Sequence, residues 1–366
     1  VLTQLAVDEA PTELHLARAV DGALAANLLL DRGIAAAGER VPGRVRLVNL
    51  GAEALPIVSV GLGDRTVASG PLELAPFESR EIPIEIETGT PGALGLVLAV
   101  LHRGGRLDDA AFVDVRKPLE MTLESPRTAR IGPAIPIRAR VFNRRHEPVE
   151  CDLRVESPGG WNVEGEVPAR IRIPASGSVE IAFSLAGGEA TPGETIAVSV
   201  AAHPGEGEPV HAEARWKRSP WLLAGPYDNS DRKGFAAVYP PETGPFEGWF
   251  DLVPPGATAA ATEVDHLAIF EPHDWQVAYA AADLVAAEPC KATLRFGSDD
   301  TLTVWLDGTV LVSRDVYRPA APGQDVVEVD LAPGRHRLLV KVAQGYGGWK
   351  FYFDTPTPGV SLEPPR

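Results

Sequence analysis

The run Leu294-Arg295-Phe296-Gly297-Ser298-Asp299-Asp300-Thr301-Leu302-Thr303-Val304-Trp305-Leu306-Asp307-Gly308-Thr309-Val310 reads as strands joined by short turns. Leu302, Val304 and Leu306 alternate with Thr303 and Trp305, so a pleated strand sends the two sets to opposite faces. Asp307-Gly308 is a strong hairpin signal, since both residues tolerate the positive φ of a tight turn. A second pair follows, Val327 to Leu331, a turn at Ala332-Pro333-Gly334, then His336 to Val342. Trp349, Phe351 and Phe353 share one face of a last strand, and Trp349 and Phe351 are expected in the core.

The same alternation extends toward the N-terminus, in Arg44 to Asn49, Glu81 to Glu87, Arg170 to Ile173 and Val179 to Leu185. No long stretch keeps a 3.6-residue period, so the expected class is all-β. The 366 residues contain 36 Gly and 34 Pro, against a hydrophobic fraction of 45%. That combination means frequent turns around real cores, and the length suits two or three domains.

Boundaries are expected at Lys117-Pro118 and Ser219-Pro220, giving domains 1–117, 118–219 and 220–366. The middle segment offers seven strands, Leu119 to Glu124, Ile135 to Asn143, Val149 to Ser157, Ile171 to Pro174, Val179 to Leu185, Thr195 to Ala202 and Val210 to Trp216. Seven in about 100 residues is the count of an immunoglobulin-like sandwich. The first segment is similar in style, although Ala23 to Leu30 is short enough to be strand or helix.

The 50 acidic against 34 basic residues give a net charge of −16, which disfavours a nucleic-acid partner. The longest apolar stretch, Leu94 to Leu101, is too short to cross a bilayer, and the N-terminus shows no signal-like apolar run. Starting at Val1, the sequence reads as a processed or excised piece. The two cysteines, Cys151 and Cys290, fall in different expected domains, which argues against a disulfide framework. No nucleophile elbow, zinc-protease helix, phosphate loop or Cys-x-x-Cys occurs.

Aromatic content separates the third segment from the others: 18 of the 24 aromatic residues and 13 of the 21 Asp lie after residue 216. Aromatic faces stack on sugar rings, and carboxylates hold hydroxyls or hard cations such as calcium. Ser157-Pro158-Gly159-Gly160-Trp161, Pro174-Ala175-Ser176-Gly177-Ser178 and Thr191-Pro192-Gly193-Glu194 resemble immunoglobulin-like modules of bacterial glycosidases and sugar-binding proteins. Gly297-Ser298-Asp299-Asp300, Val304 to Gly308, Leu331 to Gly334 and Leu339 to Val342 resemble the jelly-roll sugar-binding modules that accompany bacterial glycoside hydrolases, and also the protective-antigen-type domain of toxins and adhesins. Trp221 to Asn229 and Tyr239-Pro240-Pro241-Glu242 are similar to the openings of such domains.

In the calcium-dependent members of that family paired aspartates ligate the ion, so the resemblance carries this role to Asp299 and Asp300. Thr301 stands where a Gly commonly follows, and the alternative is that the pair caps a turn. Candidate ligand groups are Asp228, Asn229, Trp249, Trp275, Trp305, Tyr317 and Tyr346, the last expected to face solvent within its Gly-rich loop. Asp265, His266, Glu271, His273 and Asp274 form a looser ionisable set suited to zinc or acid–base work only if the fold gathers them.

The expectation is a non-catalytic array of two immunoglobulin-like sandwiches and a jelly roll, part of a larger exported bacterial polypeptide, extracellular or periplasmic. Its partner would be a polysaccharide, with calcium as the possible cofactor and no membrane insertion. The rivals are a structural or protein-interaction array, and the accessory region of a glycan-active enzyme with a site at a domain junction.

Overall fold

The computed structural model describes residues 19–259 and 262–365. The stretch 1–18, with its expected lack of a signal run, lies outside the described residues. The chain is all-β: among the described residues the helical segments are a 3-10 stretch, Ser230–Phe235, and one α-helical turn, Pro240–Thr243. No helix among the described residues is long and apolar enough to cross a membrane.

The first domain comprises β1 (Ala19–Asp21), β2 (Leu24–Leu30), β3 (Ile34–Ala36), β4 (Arg40–Asn49), β5 (Leu55–Leu62), β6 (Arg65–Leu74), β7 (Ser79–Glu87), β8 (Gly92–His102) and β9 (Gly105–Arg116). Two sheets, β1-β2-β4-β7 and β3-β9-β8-β5-β6, enclose a core of Leu24, Val45, Leu47, Val60, Leu98, Val100 and Val113. The ambiguous stretch after Ala23 is therefore strand β2, held by its ladder to β4.

The second domain contains β10 (Leu119–Glu124), β11 (Ile135–Asn143), β12 (Val149–Glu156), β13 (Trp161–Glu164), β14 (Arg170–Ile173), β15 (Ser178–Gly187), β16 (Thr195–Pro204) and β17 (Val210–Asp228). All seven strands read from the alternation are there, and β13 is an addition too short to show a period. Its sheets are β10-β11-β15-β13 and β14-β12-β16-β17. Strand β17 does not stop at Ser219–Pro220; its 19 residues pair with β16 up to Lys217 and with β21 (Gln276–Ala286) from Leu222. One hydrogen-bonded sheet thus runs through domains two and three.

The third domain adds β18 (Phe250–Val253), β19 (Thr258–Ala259), β20 (Glu263–Asp265), β22 (Cys290–Asp299), β23 (Leu302–Leu306), β24 (Thr309–Arg314), β25 (Asp325–Leu331), β26 (Gly334–Gln344), β27 (Lys350–Asp354) and β28 (Val360–Glu363). One layer continues β17-β21-β26-β23-β24; the other is β19-β20-β27-β22-β25. Leu302, Val304, Trp349, Phe351 and Phe353 meet Trp221 and Phe296 between the layers, as the period-2 reading requires. Strand β21 is buried on both faces because the segment between β17 and β18 covers its outer side.

The first two domains repeat one device. Asn49 Nδ2 donates to the Glu53, Leu74 and Ala75 carbonyls while its Oδ1 accepts from Gly51 N. Asn143 Nδ2 donates to the Glu147 and Pro174 carbonyls and its Oδ1 accepts from Arg145 N. Each backbone N–H reaches the last residue of a tight turn, Glu78 in one case and Gly177 in the other. Both asparagines are fully buried, so each knots one connection between the two sheets to another.

The free cysteines Cys151 and Cys290 sit in separate domains, as their spacing indicated. The ionisable set from Asp265 to Asp274 is dispersed, which corrects that candidate. His266 is buried among Phe270, Trp349 and Phe351, while Glu271 faces outward and pairs with Arg127. Burial pushes the His266 imidazole down to about 3, so it is neutral, and neither ring nitrogen has a hydrogen-bond partner among the described residues.

Two measurements check this fold. Asn143→Ala leaves two carbonyls and an N–H without partners, and chemical denaturation should show a loss of about 2–4 kcal/mol in the second domain. The His266 ring binds a proton far more readily unfolded than folded, so its stabilisation is complete above pH 6.5 and is lost as pH falls toward 3. A His266→Phe variant, which cannot titrate, should lose less stability than the parent between pH 6.5 and 4; an identical acid dependence would contradict the burial.

Candidate functional site

Five separate loops meet at one end of the third domain. They follow β17 (229–235), precede β21 (273–275), and connect β22 to β23 (299–301), β24 to β25 (315–324) and β26 to β27 (344–349). A small cavity of about 10 Å³, the room of one water-sized sphere, is lined there by Asn229, Arg232, Asp300, Tyr317, Gln344 and Gly345.

Asn229 holds the loops together. Its Nδ2 donates to Gln344 O (2.7 Å), its Oδ1 accepts from Gly234 N (2.8 Å), and its backbone N–H donates to Trp275 O (2.8 Å). A Cβ at Gly234 would lie 2.5 Å from both Asn229 Oδ1 and Val277 Cγ2, so only glycine allows this closure. The 3-10 segment is held from beneath by Lys341, whose buried ammonium donates to the Phe235 and Ala237 carbonyls and to Glu242 (2.9 Å). Tyr279 also donates to Glu242, and burial raises that phenol well above its usual range.

The acidic pair is built differently at each residue. Asp300 is buried, and its Oδ2 accepts from Gly345 N (3.1 Å). Asp299 is half-buried, and its carboxyl is pushed up to about 6, first by burial and then by the neighbouring Asp300 charge. The peptide between them is cis. The connection from Arg314 to Asp325 braces this turn: Arg318 donates to Ser298 O and Oγ, Ser298 N donates to Gln324 Oε1, and buried Asp325 pairs with Arg314 and Arg318. On the opposite side Gly348 lies so close that a Cβ would stand 2.3 Å from Asp299 Oδ2.

Aromatic rings form the rim. Tyr346 is 68% exposed and meets Trp275 edge-on at 6.2 Å between centroids. Trp275 has φ of +55°, a left-handed conformation that an indole side chain disfavours and that its two backbone hydrogen bonds, to Gly345 O and from Asn229 N, enforce. Tyr317, 51% exposed, carries the Arg232 guanidinium 4.2 Å above its ring, and Arg232 reaches Asp315 at 3.4 Å.

Of the residues named from sequence, Asp228, Asn229, Trp275, Asp299, Asp300, Tyr317 and Tyr346 all belong to these loops or their bases. Trp249 and Trp305 do not, and this corrects their assignment. Trp249 is buried against Phe246 and Tyr279 under the covering segment, and Trp305 packs on the same outer cluster, because that sheet face is covered and not solvated. Asn229 is corrected in role, since both ends of its amide are engaged within the protein. Asp228 is exposed and held down to about 2, chiefly by Lys233 and then by Ser230. Gln344 was missed: it is fully buried, its Nε2 donates to His273 O, and its Oε1 has no partner among the described residues. Its only signal in the sequence is its position before Gly345-Tyr346-Gly347-Gly348.

Calcium takes six to eight oxygens. The donor chemistry here fits a hard cation: two adjacent carboxylates, one with raised proton affinity, and an unpartnered amide oxygen on a residue lining the same cavity as Asp300. No group of three or more His, Cys, Asp and Glu suited to a metal occurs among the described residues, so most oxygens would come from amide, backbone or ligand groups.

No protein-family model matches the chain, and no curated protein does. Among solved structures it is similar to native Escherichia coli alpha-2-macroglobulin, with 10% identity over 56% of this chain and 18% of that one at a TM-score of 0.27. Red sea bream transglutaminase gives 11% over 54% and 31% at 0.28, and Salmonella alpha-2-macroglobulin reacted with methylamine gives 10% over 74% and 19% at 0.27. The chain spans less than a third of the length of each. The likeness to sugar-binding modules stands on the quoted residues alone.

The division between framework and rim is testable by two substitutions. Asn229→Ala strands Gly234 N and Gln344 O in the interior and should cost about 2–4 kcal/mol in denaturant titrations. Asp228→Ala, at an exposed position, should leave the midpoint nearly unchanged. Equal effects would contradict the framework role of Asn229.

Proposed function

We propose that the chain is a non-catalytic, multi-domain β-sandwich segment whose third domain binds carbohydrate at the five-loop rim. The observation that carries this reading is the convergence of Trp275, Tyr317 and Tyr346 with Asp299 and Asp300. Solvent-facing rings beside hydrogen-bonding carboxylates are the complement of a pyranose, which offers an apolar face and a periphery of hydroxyls. Asp299, Asp300 and the Gln344 amide oxygen would hold calcium, and when bound the ion supplies charge to which sugar hydroxyls can ligate. Trp275 and Tyr346 supply stacking area, and Arg232 on Tyr317 orients a donor toward the same opening. The resemblance to bacterial modules adds an exported setting, extracellular or periplasmic, alongside other domains of a larger polypeptide.

Affinity electrophoresis of the full chain against a panel of soluble polysaccharides, with calcium and with chelator, tests the reading. Retardation by a glycan is expected, weakened about tenfold by Trp275→Ala or Tyr346→Ala. Asp299→Asn with Asp300→Asn should abolish any dependence on calcium. Free migration across the whole panel would overturn carbohydrate binding and favour a structural array.

A further inference from the structure

The end of the first domain farthest from the second carries features that its internal counterpart lacks. The asparagine devices align the two domains: Asn49 with Asn143, the loop 49–55 with 143–149, and the turn Ala75–Glu78 with Pro174–Gly177. In the second domain this end is an interface. Glu39 of the first domain accepts from His146 N (2.8 Å) and approaches its ring, and a hollow of about 490 Å³ is lined by residues of both domains. In the first domain the corresponding end holds a hollow of about 600 Å³, which includes Gly22, Ala52, Glu53, Leu55, His102 and Arg103, and no described part of the chain covers it.

The turns at these two ends, Ala75-Pro76-Phe77-Glu78 and Pro174-Ala175-Ser176-Gly177, contrast most at their third position. Glu78 N donates to Ala75 O (3.0 Å) and Gly177 N to Pro174 O (3.2 Å), which puts Phe77 and Ser176 at the third position of each turn. Their φ values are +61° and +49°. With Pro76 before it, Phe77 occupies the position of a type II turn that glycine or asparagine ordinarily fills. A phenylalanine there is both conformationally disfavoured and 70% exposed, so nothing among the described residues of this domain accounts for it. Asn49 ties this turn to the loop lining the hollow, and knob and hollow therefore share one end.

We propose that this end is a self-association surface, on which a second copy of the chain docks by a two-fold axis with Phe77 of each copy seated in the hollow of the other. A two-fold interface needs a patch complementary to itself, which a projecting ring beside a concavity provides. Glu53 and Arg103 line the same hollow, so the patch carries both signs of charge and two copies meet there without an excess of like charge. The corresponding end of the second domain already serves as an interface, and there the small Ser176 stands in place of the ring.

Sedimentation of the full chain over a concentration series tests this. The parent should show a monomer–dimer equilibrium, and Phe77→Ser, which copies the second domain, should raise the dissociation constant at least about thirtyfold. Phe77→Gly should do the same while leaving the thermal midpoint unchanged or raised, because glycine accepts the turn's φ. A parent that stays monomeric to millimolar concentration would overturn the proposal, as would a dimer undiminished in both variants.

Discussion

Strand β17 is the constraint on which the rest of this structure depends. It pairs with β16 inside the second domain, crosses the chain's apparent boundary, and pairs with β21 inside the third. Bending there would break ladder hydrogen bonds and expose their donors and acceptors, so the two domains move as one body. Side chains reinforce it: Trp216 donates to Pro126 O, Arg218 pairs with Asp251 in the interior, and Leu252 of β18 packs in the second domain's core. The strand delivers its last residue, Asp228, to the base of the five-loop rim. The candidate site is therefore held in a fixed place relative to the second domain.

Within the rim, order comes from buried neutral hydrogen bonds more than from surface ion pairs. Asn229, Thr301 and Gln344 tie backbone segments that are far apart in sequence, and the glycines at 234 and 348 let those segments approach closely. Exposed pairs such as Arg232 with Asp315 add little by comparison, since solvent screens them. The result is a division of labour. Asn229 and the glycines are consumed by the framework, while the rings, Asp299 and Asp300, and the Gln344 amide oxygen are left for the opening.

The first two domains show how one framework takes different surroundings. The buried asparagine, its loop and its turn recur with the same hydrogen bonds, yet in one domain they receive a neighbour and in the other they face outward. Because the asparagine fixes the backbone, the turn residue is free to vary, and Ser176 and Phe77 are the two outcomes. Conformational cost at Phe77 is local and small enough for the knotted turn to bear it.

Much of the architecture follows from the one-dimensional pattern. Alternation in Leu302 to Leu306 or Val179 to Leu185 fixes strand and inner face, because a strand sends successive side chains to opposite sides whatever surrounds it. Richness in aromatic residues and Asp marked the third domain, Trp275, Tyr317 and Tyr346 stood out as rings in its loops, and Asp299 and Asp300 were named through the resemblance to sugar-binding modules. Tertiary structure decided the rest. Trp249 and Trp305 read as stacking candidates just as Trp275 does, and only the segment folded over the outer sheet face buries the first and packs against the second. Asn229 reads as a ligand group and Gln344 as an ordinary polar residue until distant loops supply or withhold their partners. The continuation of β17 was invisible, since a proline in the strand hides a ladder whose partner lies some sixty residues away. Periodicity is a local property and survives in the sequence; coverage, partner choice and loop convergence are set by contacts between remote segments, and no single stretch records them.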